Sequence, residues 1–327
     1  MAVGRSPEPK KILMKKKVGF LFPGQGSQFV GMGVALNEKY ASAKNIFSQA
    51  DKILGFKLSE ICASGPEDVL TRTLYAQPAI YTSSCAAFAV FQEKFPDIKP
   101  QVVAGHSLGE FSALAAAGFF SFEDGLKLVQ IRAQAMEKAA TQNPGAMAAI
   151  LGLSQADCIS VAQEAGAEVA NFNSPLQTVL TGAADAIARA CSLAEQKGAK
   201  RVMPLKVSGA FHSTLMKAAQ LDLCEALTRV QVKTPNCSFI PNVTGSSNNN
   251  PIEIKDLLGK QLVSSVRWTE TMQKINLMEL THLVEVGPGK VLKGLAKSCE
   301  TKTPVSLFGL PTDVEEIIKN FEGAIHA

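Results

Sequence analysis

The sequence predicts an α/β fold: a parallel-sheet core interrupted by a small inserted β-α-β-β-α-β unit. Three observations carry this. Apolar runs of strand length alternate with helical stretches from Val18 to about residue 140. A serine stands between two glycines, Gly105-His106-Ser107-Leu108-Gly109, directly after one such run. Between Asn143-Pro144-Gly145 and Ser208-Gly209, six short segments follow in the order strand, helix, strand, strand, helix, strand.

Taken in order, Val18-Gly19-Phe20-Leu21-Phe22 is an apolar run that reads as a buried strand, ended by Pro23-Gly24. The loop PGQGSQ (23–28) follows. It lacks the Lys of a Walker motif and the spacing of a dinucleotide fingerprint. On its own it is a phosphate cradle, a donor of a backbone N–H, or only a turn. Residues 78–95 form a mainly apolar helix, 101–104 a strand, and a small-residue helix runs from the serine turn to about residue 117. Ser121-Phe122-Glu123-Asp124 resembles a capping box and opens a helix through about residue 140.

In the insert, strands are expected over 146–151, 168–172, 178–181 and 201–206, and helices over 155–165 and 183–197, with a turn at Asn173-Ser174-Pro175. The resulting organisation is a basic tail (1–17), an α/β-hydrolase-like large subdomain in two pieces (18–143 and 208–310), a ferredoxin-like small subdomain (144–207) and a C-terminal segment (311–327). The Asn- and Ser-rich stretch 245–250 reads as a surface loop.

Composition narrows the function. The 327 residues are 46% hydrophobic and 19% charged, enough apolar material for a sizeable core. No apolar run is long enough to span a bilayer, so no membrane association is expected. The net charge of +4 resides in the first 17 residues, which hold six basic residues and one acidic; residues 18–327 carry 27 basic against 28 acidic. A near-neutral body argues against nucleic acid as a partner. Seven cysteines are widely spread, with no C-x-x-C pair, which indicates reduced thiols and neither a metal site nor a disulfide framework.

G-x-S-x-G between strand and helix is the nucleophile-elbow pattern of α/β-hydrolase sheets. Flanking glycines permit the tight turn, the hydroxyl projects clear of the backbone, and the helix N-terminus offers N–H groups to an oxyanion. A nucleophilic serine needs a base, and the chain has four histidines: 106, 212, 282 and 326. His106 adjoins Ser107, where side chains diverge, and reads as a brace of the turn or a pocket wall. His326 lies next to the C-terminus, and His282 reads as ordinary surface. His212, in the small-residue loop Val207-Ser208-Gly209-Ala210-Phe211-His212-Ser213, is the best base of the four.

Four segments, PGQGSQ, GHSLGE, SGAFHS and VEVGPGKVL (284–292), stand in the order and approximate spacing found in malonyl-CoA:acyl-carrier-protein transacylases, the stand-alone acyltransferases of type II fatty-acid synthesis. The chain resembles this family from about Val18 to about Ser306. The resemblance implies Ser107 as acylated nucleophile, His212 as base, and the backbone N–H groups of Gln25 and Leu108 as oxyanion hole. It implies that Arg132 holds the malonyl carboxylate and that the main-chain carbonyl of Gln261 orients the histidine, a Ser–His dyad with no acidic third member. Phe211 matches a bulky residue of malonyl-selective members.

From the residues alone, Arg132 is first read as paired with an internal Glu or snorkelling to the surface, and it is the resemblance that favours a substrate carboxylate. Arg132 stands on an apolar helix face with Leu128, Val129 and Met136, where an unpaired guanidinium is costly and a carboxylate ligand would satisfy it. The partners so implied are malonyl-CoA and a transiently bound acyl carrier protein, with no cofactor or metal, a monomeric state, and a bacterial cytoplasm or a plastid or mitochondrial matrix as location. Two basic clusters could dock an acidic carrier: Lys197, Lys200, Arg201 and Lys206, and Lys290, Lys293 and Lys297. The rival readings are a serine esterase or thioesterase, an acyltransferase serving a polyketide synthase, and a binding protein that kept the fold.

Overall fold

The computed structural model describes residues 16–323. The basic tail assigned to residues 1–17 lies outside the described residues except for Lys16 and Lys17, and His326 lies outside them too. Five parallel strands form the large sheet: β1 (Val18–Phe22), β2 (Pro100–Gly105), β7 (Ser238–Phe239), β8 (His282–Val286) and β9 (Val305–Phe308), in the order β7-β2-β1-β8-β9. β1 is central and every residue of it is buried. Its alternate side chains feed two cores, as the two-residue period of a strand requires. Phe20 and Phe22 pack with Phe88 of the helix Thr73–Lys94 on one face; Leu21 packs with Trp268, Met272 and Leu295 on the other. Covered faces on both sides explain why β1 reads as a continuous apolar run.

The insert folds as a separate antiparallel sheet of β3 (Ala146–Leu151), β4 (Glu168–Ser174), β5 (Gln177–Gly182) and β6 (Arg201–Pro204), in the order β4-β5-β3-β6. Helices Gln155–Ala165 and Ala184–Gln196 cover one face and bury Cys158, Val161, Ile187 and Ala190 against Ala148, Ile150 and Leu180. The insert is therefore the expected β-α-β-β-α-β unit with a core of its own. A backbone bond from Phe172 N–H to Val266 O (2.9 Å) ties it to the large sheet's loops.

Three local expectations differ. The helix expected at 78–95 begins at Thr73, with Pro78 inside it; most of its residues are buried, and that packing outweighs the one backbone bond a proline removes. Asn173 and Ser174 continue β4 rather than turning, so the hairpin is shorter; Asn173 is drawn inward by a bond to His106 (2.8 Å). His282 is not surface: it is 2% exposed at the start of β8, its ring 4.8 Å from that of Phe321 in the helix Asp313–Gly323. No helix among the described residues is long and apolar enough to cross a membrane.

The two glycines of the elbow are held by close backbone contacts. A Cβ on Gly109 would lie 2.0 Å from the carbonyl oxygen of Phe22, and one on Gly105 would lie 1.9 Å from that of Gly109. Gly109→Ala is expected to destabilise the fold by about 2–4 kcal/mol, because the neighbouring atoms, of Phe22 and Pro23, are backbone and cannot swing aside. Gly294→Ala, whose Cβ would meet nothing within 4 Å, is expected to be neutral or mildly stabilising. Urea unfolding midpoints of the two variants check this.

Candidate active site

Ser107 sits between β2 and the helix Gly109–Ala116 with φ at +50°, a left-handed conformation that a serine adopts only under constraint. The constraint is visible. His106 N–H donates to Phe22 O (3.0 Å) and Gly109 N–H to His106 O (2.9 Å), which closes the turn against the end of β1. Asn242 clamps it from the far side: its Oδ1 accepts from Ser107 N–H (2.7 Å) and its Nδ2 donates to Gly105 O (2.7 Å). The loop after β1 presses on the same turn, since a Cβ on Gly24 would lie 2.3 Å from His106 O. That contact brings Gln25 to the site. Among the described residues, neither the backbone N–H of Gln25 nor that of Leu108 donates to a protein acceptor.

His212 also has positive φ, +58°, and is 5% exposed. Its Nε2 lies 2.8 Å from Ser107 Oγ. Its Nδ1 faces two backbone carbonyls, Gln261 O at 3.0 Å and Ser264 O at 3.2 Å. Carbonyls only accept, so Nδ1 carries the proton and Nε2 presents a lone pair to the serine hydroxyl. Burial, and then the charge of Arg132, lower the His212 pKa to about 3, so the ring is neutral at physiological pH.

Arg132 is fully buried on the helix Phe122–Gln142, whose N-cap Ser121 accepts from Asp124 N–H as the capping box predicts. Its Nη1 donates to Gln77 Oε1 (2.7 Å), and its Nη2 to Gln261 Oε1 (2.9 Å) and Ser107 Oγ (3.1 Å). Its Nε has no partner among the described residues. The guanidinium lies 5.6 Å from the ring centre of Phe111. No carboxylate forms an ion pair with it among the described residues. Burial lowers its pKa to about 9, partly offset by Glu110, and burial raises the Glu110 pKa to about 7. A cation is thus held in the interior by two amides and a hydroxyl, beside the nucleophile.

These groups face a cavity of about 310 Å³ between the large sheet and the insert. Gln25, Ser107, Leu108, Arg132, Phe211 and His212 line it from the large sheet's side, with Met147 and Asn171 from the insert. Phe211 is 6% exposed and narrows the space beside the base. His106 lines the cavity and binds Asn173, so it braces the turn and makes no bond to Ser107 Oγ. A larger hollow of about 820 Å³, lined by Leu54, Tyr75 and Gln134, contains no nucleophile–base pair. All seven residues singled out in the sequence meet at the smaller cavity or, for Gln261, directly behind it. Sequence reasoning missed Asn242, Gln77 and Glu110. Glu110 is the last residue of the quoted GHSLGE, and its single charge among small residues was the available signal; Asn242 and Gln77 carry none.

A serine–histidine pair on a parallel sheet, with a cation in the same cavity, is an arrangement suited to acyl-group chemistry at a serine. Residues 19–307 match the acyl transferase domain, and the chain belongs to this family. It is an acyltransferase. The malonyl CoA-acyl carrier protein transacylase of Haemophilus influenzae is 44% identical over 286 residues, spanning 86% of this chain and 92% of its own. The crystal structure of an acyl-carrier-protein S-malonyltransferase from Burkholderia pseudomallei is similar with a TM-score of 0.89 at 41% identity, over 93% of this chain and 99% of that one. A structure described as a type II PKS acyl-carrier protein in complex with its malonyl-transacylase is similar with a TM-score of 0.89 at 34% identity, over 94% and 99%.

Asn242 makes both of its bonds to the elbow in the interior. Asn242→Ala is expected to cost about 2–4 kcal/mol of stability, from two lost buried hydrogen bonds. It should also slow acylation of Ser107 by a fluorophosphonate probe. Thermal unfolding and the probe's second-order rate constant check the two effects.

Proposed function

We propose that this acyltransferase moves a malonyl group from malonyl-CoA to the pantetheine thiol of an acyl carrier protein, through a malonyl ester on Ser107. One observation carries the reading: a fully buried guanidinium with no carboxylate partner among the described residues stands 3.1 Å from the nucleophile's oxygen. A substrate acid placed there supplies the missing counter-charge, and its thioester carbonyl is then positioned over Ser107.

His212 takes the proton from Ser107 Oγ as it attacks the thioester carbon. The backbone N–H groups of Gln25 and Leu108 receive the oxyanion. The tetrahedral intermediate collapses, the C–S bond breaks, and His212 returns the proton to the departing CoA sulfur. In the second half, His212 deprotonates the carrier's thiol, the thiolate attacks the ester, and Ser107 recovers its proton. These residues supply nucleophile, base, oxyanion donors and counter-charge, so the proposal needs no metal or prosthetic group. Phe211 leaves little room for an α-methyl group on the acyl chain.

Of the two basic clusters we favour Lys197, Lys200, Arg201 and Lys206 for the carrier. All four are exposed, and Lys206 also lines the cavity, so this surface runs into the acyl-group entrance. The carrier belongs to fatty-acid synthesis in this reading. The similar structure solved with a type II PKS carrier favours polyketide carriers as the second reading. We propose a monomer in a bacterial cytoplasm: one chain provides every group named above, and the organisms of the named relatives are bacterial.

Labelled malonyl-CoA incubated with the protein and purified carrier should transfer label to the carrier, and Ser107→Ala should abolish this. Arg132→Ala should lower kcat/KM for malonyl-CoA by about 10²–10³-fold while acetyl-CoA is used as well as before or better. Release of free malonate at the same rate without carrier would mean a hydrolase.

The acid limb of kcat/KM should lie well below the ordinary histidine value of about 6.5, because it reports the free enzyme and His212 stays an unprotonated base until its lowered pKa is reached. An acid limb at the ordinary histidine value would contradict a buried neutral base.

A further inference from the structure

We infer that Glu110 is a positioning residue for acid recognition: a buried counter-charge that acts on Arg132 through the side-chain amide of Gln261. The inference rests on the reading of Arg132 as the substrate's carboxylate partner. Glu110 is 1% exposed, one turn after Ser107 in the chain, and touches neither the guanidinium nor the serine hydroxyl. Both its oxygens accept: Oε1 from Asn242 N–H (3.3 Å) and Oε2 from Gln261 Nε2. Two N–H donors favour the ionised form and work against the burial that raises its pKa to about 7.

That arrangement dictates which way the Gln261 amide points. Its Nε2 has two hydrogens, and both are used, one on Glu110 and one on Ser107 O (2.9 Å). Its Oε1 must then turn the other way, where it accepts from Arg132 Nη2 (2.9 Å). A flipped amide would set N–H₂ against the guanidinium and a carbonyl against a carboxylate, two repulsions in a dry interior. Glu110 therefore aims Arg132 without occupying it. A carboxylate in direct contact would neutralise the guanidinium and compete with the substrate acid; one amide away, it stabilises the cation and leaves the side that lines the cavity for the ligand.

Gln261 has two separable functions in this arrangement. Its backbone carbonyl holds His212 Nδ1 and its side chain holds Arg132. Base and acid-binding cation are thus registered to each other by one residue, and Glu110 fixes the orientation of that residue's side chain.

The test is Glu110→Gln in the full chain, assayed with malonyl-CoA and acetyl-CoA in parallel. Loss of the counter-charge should lower kcat/KM for malonyl-CoA by about 30–100-fold, mainly through KM, with acetyl-CoA turnover within about threefold of the parent. Labelling of Ser107 by a neutral fluorophosphonate should stay within about threefold of the parental rate, since Glu110 reaches the elbow only through Asn242 and the Gln261 amide and makes no bond to His212. An equal fall with both acyl groups would overturn the inference and leave Glu110 as a support of the Asn242 clamp; unchanged malonyl kinetics would overturn it too. Should Glu110→Gln not fold, Gln261→Met removes the link from its other end and keeps the backbone carbonyl on His212. It should reduce the preference for malonyl over acetyl by a similar factor, and a retained preference would sink the inference. If the parent enzyme itself shows no malonyl preference, the proposed substrate fails, which is a different result from any of these.

Discussion

Everything at this site depends on one close approach of two backbones. Gly109, at the start of its helix, lies so near the carbonyl of Phe22 that a single added carbon would overlap it. The contact is made because β1 and β2 are parallel neighbours in register, Phe22 opposite Gly105. Both strands therefore end at one level, and the turn carrying Ser107 folds back over the end of β1. From the same contact the loop after β1 lies against His106 and delivers Gln25. The positive φ of Ser107 costs about 1–3 kcal/mol, and the sheet and the Asn242 clamp hold the residue against relaxation. Nucleophile, oxyanion donors and strain follow from how two strands end.

The second constraint is electrostatic. A fully buried guanidinium with no ion pair is destabilising, and the protein tolerates it with two glutamines and a hydroxyl. These neutral groups orient the cation without discharging it. The cost does not vanish in the free enzyme; in the proposed reading it is relieved when an acid binds, so that affinity for a carboxylate is stored in the fold. A hydrolase of neutral esters gains nothing from such an arrangement. Burial first, and then this cation, depress the basicity of His212, which keeps the base neutral and able to accept a proton.

How much of this was legible in the sequence depends on distance along the chain. The elbow, the capping box at Ser121 and the six-element insert are written in short windows, and the structure has them within a few residues of the expected limits. Arg132 stands out as a charge on an apolar face, but that pattern alone equally fits an internal ion pair or a snorkelling side chain, and the carboxylate reading comes from family resemblance. Asn242, 135 residues from Ser107, was not: an asparagine between Pro241 and Val243 reads as a turn, and its function exists only where the fold brings it. Gln77 was lost for a similar reason, preceding a proline that seemed to mark a helix boundary while the helix ran through it. His282 was read as surface because one residue at the edge of an apolar run does not reveal that both faces of its strand are covered. The roles of Gln25 and Gln261 were reached through family resemblance rather than local pattern, since backbone groups leave no trace in side-chain identity.

Among the described residues no acid bonds to His212 Nδ1, and the proposed role of Arg132 gives this a reason. In a Ser–His–Asp arrangement the aspartate faces Nδ1 and stabilises the imidazolium. Here Nδ1 faces two backbone carbonyls, from Gln261 and Ser264. Carbonyls fix the tautomer as well as a carboxylate does but carry no net charge. A carboxylate in their place would add a buried anion beside a residue whose side chain already holds the guanidinium, only one hydrogen bond from Ser107. It would draw on the charge reserved for the substrate acid and raise the basicity of a histidine that must also give its proton back to a thiolate. A thiolate is a good leaving group and asks little of its acid, so the weaker orienting pair suffices. In the proposed reading, an enzyme that binds its substrate by a buried arginine beside the serine is therefore better served by neutral support of its base, and the buried acid Glu110 is kept an amide's length away.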